Sequence, residues 1–314
     1  MSKKKIKRTF RKIFLIFALE LLFRGIGMIP RCCGFFISTR VGGLFYRSAS
    51  QTLSKAENNL KTAFPDLSQT QRVQIIKDMC CHMVHNAFDT LYFLQHPQSS
   101  LPITIYGKEH LISALEKKRG VIALTAHFGN FPLLHLALAR AGLPFSVFTR
   151  PMKDEEVGLF FKKLRDRFDV RTIYSLPRRQ AVSETLEALR SNRIVCIQMD
   201  QDNGSRGIWV DFFNRPASTP PGPVIFALRT GAPIVPMYIR SHPDHTYTIE
   251  IMPFQQLEND GDKSLVIQKN VTRYTGVIET WIRKYPAQWG WIHDRWKTSM
   301  AENKDRFLSV SGVS

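Results

Sequence analysis

The chain has 314 residues, 44% of them hydrophobic, and carries 44 Lys and Arg against 26 Asp and Glu, a formal charge of +18. That length suffices for one large domain or two small ones with a sizeable core, and the apolar content excludes both a disordered chain and a polytopic membrane protein. A charge excess of this size calls for a negative partner, either nucleic acid or an anionic membrane surface.

The first element is set by that charge. Lys3, Lys4, Lys5, Lys7, Arg8, Arg11 and Lys12 precede "IFLIFALELLFRGIGMIP", residues 13–30, which is apolar apart from Glu20 and Arg24. A basic cluster before an apolar run is the pattern of a segment attached to an anionic cytoplasmic leaflet. Residues 1–30 are therefore expected to form a basic segment and a membrane-anchoring helix. Eighteen helical residues reach about 27 Å, slightly short of a hydrocarbon core, so the pattern fits a single span and an interfacial helix equally. No Ala-x-Ala-like cleavage site follows, and "PRCCGFF" places a charge where a secretory signal would end. Cys32, Cys33, Cys80, Cys81 and Cys196 form no disulfide framework and suit a reducing compartment. "CCHMVH" (80–85) lacks the two-residue gap of a tetrahedral metal site and reads as a helix face, so no metal is expected.

Residues 51–97 carry apolar side chains at three- and four-residue spacing and are predicted helical, with Ser68 as an N-cap. From residue 120 strands and helices alternate. "GVIALTA" (120–126) is a strand ending at His127, "PLLHLALARAG" (132–142) a helix, and "FSVFT" a strand. "EEVGLFFKKLRDRF" and "AVSETLEALRSN" are helices, and "RIVCIQM" (193–199) is a strand. Residues 232–240 and 246–253 make a β-pair around "SHPDH". This alternation predicts an α/β fold, a mixed and largely parallel sheet flanked by helices, as one domain over 31–305 with a frayed tail at 306–314.

In open α/β sheets, ligands collect beyond the carboxyl ends of strands. His127 stands at such an end, and so does Asp200 after "RIVCIQM". Gly129 would let backbone approach a substrate, Asn130 suits the N-cap of the next helix, and that helix start offers N–H groups to an oxyanion or phosphate.

"TAHFGNF", "FTRP" (148–151), "MDQDNGSRGIWVDFFNRPASTPPGP" (199–223), "LRTGAPIVP" (228–236) and "QWGWIHDRWKT" (288–298) occur in that order, after "NNLKTAFPDLS" (58–68). Together they resemble the bacterial lipid A biosynthesis acyltransferases, the late acyltransferases of the lysophospholipid acyltransferase superfamily. The resemblance spans nearly the whole chain and implies a glycerol-3-phosphate acyltransferase-like fold. It also implies acyl transfer from a thioester to a lipid hydroxyl, the acceptor being a lipid A precursor or a related glycolipid. In that family a His is followed, after four residues, by Asp or Glu; the His is the general base and the acid orients it. His127 matches the base, whereas the acid position falls on Pro132. Proline costs nothing in the first turn of a helix, but neutralising the acid of a related base–acid pair loses about 10⁴ in rate. Asp200, Asp202 and Asp211 all lie in the block that resembles the active-site loop and are the candidate substitutes.

Further roles follow from the same resemblance. Arg150 and Arg215 are suited to phosphates or to a carrier's phosphopantetheine. Gly129, Asn130 and Gly222 complete the expected substrate-binding set, with "STPPGP" as a rigid loop and Gly222 at its turn. Trp289, Trp291 and Trp296 fit either core packing or a bilayer headgroup region. The expected partners are a membrane lipid acceptor, acyl carrier protein and the anionic membrane surface, at the cytoplasmic face of the bacterial inner membrane. No metal or redox cofactor is implied; the co-substrate is acyl carrier protein or coenzyme A carrying the acyl group. The rival reading is a catalytically silent lipid-binding relative, motivated by Pro132. Nucleic acid is not expected, since no zinc-finger spacing or RNA-recognition motif accompanies the charge, and no Gly-x-Ser-x-Gly supports a serine hydrolase.

Overall fold

The computed structural model of the protein describes residues 3–98 and 101–299, with the backbone alone for residues 3–13. The tail expected at 306–314 lies outside the described residues, as do the side chains of the basic cluster at 3–12. A seven-stranded sheet organises the chain. Its strands are β1 (Ile103–Tyr106), β2 (Val121–Thr125), β3 (Phe145–Thr149), β4 (Arg171–Tyr174), β5 (Ile194–Gln198), β8 (Ile234–Ser241) and β9 (Tyr247–Ile251), in the order β1-β9-β8-β2-β5-β3-β4. Only the β8–β9 pairing is antiparallel. A separate hairpin is formed by β6 (Ile208–Phe212) and β7 (Arg215–Thr219). The α/β class and the mixed, largely parallel sheet are those the sequence predicts.

Why the central strands sit where they do is plain from their residues. "VIALT" in β2 and "IVCIQ" in β5 are almost continuously apolar, as strands covered on both faces must be. Ile122, Leu124, Val195 and Ile197 face a core shared with α3 (Ser50–Ala63), α9 (Gly222–Thr230) and α10 (Lys263–Lys284). Val121, Ala123, Ile194 and Cys196 face the opposite core, built with α5 (Lys108–Glu116), α6 (Phe131–Arg140) and α7 (Glu155–Asp166). The crossover from β4 to β5 is α8 (Arg178–Arg190).

The helical stretch predicted over 51–97 is two helices, α3 and α4 (Gln69–Gln95). Pro65 interrupts it, and Ser68 starts α4 with a capping box: its hydroxyl accepts from Gln71 N while the Gln71 side chain accepts from Ser68 N. The short strand β1 and the β6–β7 hairpin escape the sequence reading because four or five residues carry too little periodicity.

The N-terminus corrects an expectation. Helix α1 (Lys3–Met28) forms, but among the described residues no helix is long and apolar enough to cross a membrane. The apolar part of α1 begins at residue 13 and the helix ends before Pro30, so it reaches only about 24 Å and still contains Glu20 and Arg24. Phe14, Phe17, Leu21 and Met28 are nevertheless exposed. The following helix, α2 (Arg31–Ser48), lies against α4 through Gly34, Ser38 and Gly42. A Cβ on Gly34 would stand 2.0 Å from the Phe88 ring, so only glycine permits this approach. Phe36 and Leu44, on the other side of α2, are exposed. At its start Arg31 reaches the buried Asp89 through two hydrogen bonds, of 3.0 and 2.9 Å, and Tyr247 Oη donates to the same carboxylate at 2.7 Å.

Candidate active site

The register of two strands creates the site. Thr125 of β2 pairs with Gln198 of β5 in a parallel ladder, and His127 and Asp200 each stand two residues past those strand ends. The two side chains meet there: His127 Nδ1 lies 2.9 Å from Asp200 Oδ1. The other carboxylate oxygen accepts from the His127 backbone N–H at 2.9 Å and from Trp289 Nε1 at 2.7 Å. Asp200 is buried, whereas a third of the His127 side chain is exposed.

These contacts fix the protonation states. Burial alone would raise the pKa of Asp200, but the charge of His127 and the hydrogen bonds from His127 and Trp289 outweigh it and hold the carboxyl at about 2. Burial works against a charged imidazole at His127, yet the attraction and hydrogen bond of Asp200 leave its pKa raised above the ordinary 6.5. With the carboxylate ionised, Nδ1 carries the hydrogen, which leaves Nε2, without a hydrogen-bond partner among the described residues, as the acceptor.

The loop after β2 is shaped for this. Gly129 has φ +55°, and a Cβ there would lie 1.7 Å from the Ile239 carbonyl oxygen. Gly129 N donates to Gln288 O and Gly290 N donates to His127 O, so the 288–290 segment runs antiparallel to the loop and brings Trp289 to Asp200. Gln288 is itself clamped on the end of β8, accepting from Ser241 N and donating to Ser241 O. Asn130 caps α6, its Oδ1 accepting from Leu133 N and from Thr90 Oγ1, and its Nδ2 donates to Asn86 O. It is buried and fully engaged, so its side chain holds the helix start and presents nothing to a substrate. Pro132 is the second residue of α6 and supplies no N–H there; the Leu133 amide is taken by Asn130. In the first turn, Phe131 retains a free amide.

The other candidate acids stand apart from the imidazole contact. Asp202 Oδ2 accepts from Gly204 N and Thr298 Oγ1, and its amide donates to His293 Nε2. Asp211 is exposed on β6, opposite Pro216. Arg150 is exposed just after β3, at the same sheet edge as the His–Asp pair. Arg215 is exposed on β7, donating to Thr62 Oγ1 over the face of Trp296. Gly222 opens α9 with open space where a Cβ would go, so no turn demands a glycine there. Trp289 and Trp291 are buried, Trp296 packs on Phe212, and the tryptophans belong to the core and not to a headgroup layer.

Two residues of the C-terminal block have positioning roles that the sequence did not assign to them. Trp289 fixes Asp200. Arg295, wholly buried, donates to Ser218 O and Thr219 Oγ1 and so holds the end of β7. Burial lowers the pKa of this guanidinium to about 10 even with Asp200 and Asp202 nearby.

A family model described as bacterial lipid A biosynthesis acyltransferase matches residues 1–298. The chain belongs to this family. It is an acyltransferase of the lipid A biosynthesis family, transferring groups other than amino-acyl groups. It is 25% identical over 213 residues to the phosphatidylinositol mannoside acyltransferase of Mycolicibacterium smegmatis, covering 67% of this chain and 68% of that protein. It is 23% identical over 262 residues to the lipid A biosynthesis acyltransferase of Haemophilus influenzae, covering 82% and 79%. With the lipid A biosynthesis lauroyltransferase of Escherichia coli K12 the identity is 23% over 270 residues, covering 82% and 83%. Within this lipid A acyltransferase family, then, the present chain holds a His–Asp pair whose acid comes from the next strand of the sheet.

Proposed function

We propose that the protein moves a fatty acyl chain from an acyl thioester to a hydroxyl of a lipid A precursor or a related glycolipid, with His127 as general base. The reading rests on the 2.9 Å contact between His127 Nδ1 and Asp200, which supplies the acid that Pro132 does not. Nε2 takes the acceptor hydroxyl's proton as that oxygen attacks the thioester carbon. The tetrahedral oxyanion is met by the Phe131 amide at the start of α6. As the C–S bond breaks, the departing thiolate takes the proton back from Nε2, while Asp200 remains ionised throughout. Arg150 is a candidate for anionic substrate groups.

The working place in this proposal is the cytoplasmic face of a bacterial inner membrane, with α1 and α2 lying in the interface. Their exposed Phe14, Phe17, Phe36 and Leu44 support that placement, and the basic residues before residue 13 suit anionic lipid. The silent-relative alternative was motivated by a missing acid, and the His127–Asp200 contact speaks against that motive.

The test is acyl transfer by purified protein in detergent. Labelled acyl carrier protein or acyl-coenzyme A would be offered with a panel of lipid A precursors and acylatable mannosides to wild type and His127→Ala. Turnover confined to the wild type supports the proposal; acyl-donor binding with no turnover in either would favour the silent relative.

A further inference from the structure

The two flanks of the His–Asp pair differ in chemistry. On the β8–β9 flank, α2 is tied down by Arg31, which bonds Asp89 and also His245 O in the β8–β9 turn, and its free side is apolar. On the other flank, β5, β3 and β4 run parallel, so their carboxyl ends open on the edge that carries Asp200. That edge is basic. Arg150 and Lys153 follow β3, Arg178 and Arg179 begin α8 after β4, and Arg206 lies in the loop after β5; all are exposed.

None of these side chains has an ion pair, hydrogen bond or ring partner among the described residues. Arg178 and Arg179 are also badly placed for their own helix. They occupy the first turn of α8, which has no acidic residue and no side-chain cap, so they add to the positive end of the helix dipole. Positive charges there oppose the helix dipole, and an external anion would reverse that sign. Three acids lie beside the rim at the start of α7: Asp154 Oδ1 accepts from the Glu156 and Val157 amides, and Glu155 and Glu156 sit in the first turn, where they complement the dipole of their own helix. Met152 and Leu176 are half exposed among these cations. Arginines around apolar side chains are the composition of a protein-docking surface more than of a simple ion site.

We propose that this rim is the docking surface for an acidic carrier protein that presents the acyl thioester on a flexible arm. The inference rests on the acyl-transfer reading. Neighbouring strands are about 4.8 Å apart, so β4 lies only about 10 Å from β5, and an arm entering from the rim reaches His127 from the side opposite α2. Donor and lipid acceptor then approach on separate flanks. The carrier is recognised by its negative surface, so its association is fast at low salt and weakens as salt rises.

The experiment compares wild type with Arg178→Glu/Arg179→Glu, using acyl carrier protein and acyl-pantetheine as alternative donors. The expected result is that the ratio of KM for the carrier to KM for acyl-pantetheine rises by about tenfold or more. Lys269→Glu, an exposed charge reversal on α10, leaves the ratio unchanged. An unchanged ratio in the double variant overturns the proposal. So does a parallel loss of binding to anionic vesicles, which would assign the rim to the bilayer. Binding of holo-carrier to the His127→Ala protein, at low and high salt, is measured separately. It supports the rim if the charge reversals abolish it and overturns the rim if they do not, even should transfer itself fail with every donor.

Discussion

Trp289 Nε1 and the backbone amide of His127 donate to the same oxygen of Asp200, at 2.7 and 2.9 Å, while the opposite oxygen faces His127 Nδ1. A carboxylate held by three donors cannot rotate, and its pKa is fixed far below neutrality. Asparagine at this position would have one oxygen for three donors. Asp200→Asn is expected to lower kcat/KM by about 10⁴, the scale of tautomer loss in a comparable base–acid pair. Pro132→Asp, made alone, changes kcat/KM little, because Nδ1 already has its partner. Steady-state kinetics on both variants decides; a large gain from the proline replacement would show that Asp200 does not fill the acid's role.

The raised pKa of His127 has a kinetic sign. A general base works when neutral, so activity falls as the imidazole is protonated. In wild type the acid limb of kcat/KM is expected above the ordinary 6.5, and removal of the Asp200 charge moves it to lower pH. A pH–rate profile of wild type and of the residual Asp200→Asn activity gives both values.

Trp289→Phe keeps the ring and removes one donor from Asp200. A hydrogen bond to a charged group contributes about 1.5–3 kcal/mol, so kcat/KM should drop roughly ten- to a hundredfold while KM for the lipid acceptor stays close to wild type. A drop confined to KM would instead place Trp289 against substrate.

Gly129→Ala tests the loop. The new Cβ would meet Ile239 O at 1.7 Å, on backbone at φ +55°, and neither strand nor loop has room to yield. The loss should be on the order of 3 kcal/mol or more, read as a large fall in melting temperature. Gly222→Ala, with open space at its Cβ, serves as the tolerant control.

His135 offers a stability measurement independent of catalysis. It is buried in α6, and burial, with Arg165 adding like charge, lowers its pKa to about 3. The folded state therefore refuses a proton that the unfolded chain takes below about 6.5. Stability is full above that pH and is lost as pH falls toward 3, by up to about 1.4 kcal/mol per pH unit. Denaturant midpoints for His135→Leu should show a flatter acid dependence than wild type between those limits.

Much of this site was legible in the string. β2 and β5 announce themselves as apolar runs ending in polar residues, and His127 stands out at the first of those ends. Asp200 could be named only beside Asp202 and Asp211, because what separates them is the pairing of Thr125 with Gln198, and register is not a linear property. Trp289 reaches Asp200 across 89 positions, through a segment aligned by Gln288 on β8, and no local pattern foretells that contact. Gly222 was misread for the opposite reason: a Pro-Pro-Gly sequence looks like a turn, yet the chain simply enters a helix there. Composition leaves a span and an interfacial helix equally open at the N-terminus, and the break before Pro30 weighs against the span by shortening the apolar helix.

The clamp of residues 288–290 on the histidine loop also makes the base sensitive to a local event. Trp289 reaches Asp200 only while Gln288 is held on the end of β8. An opening of this one segment removes a donor from the carboxylate while the sheet stays folded. Alignment of the imidazole is therefore expected to be lost in a local opening, well before the protein unfolds.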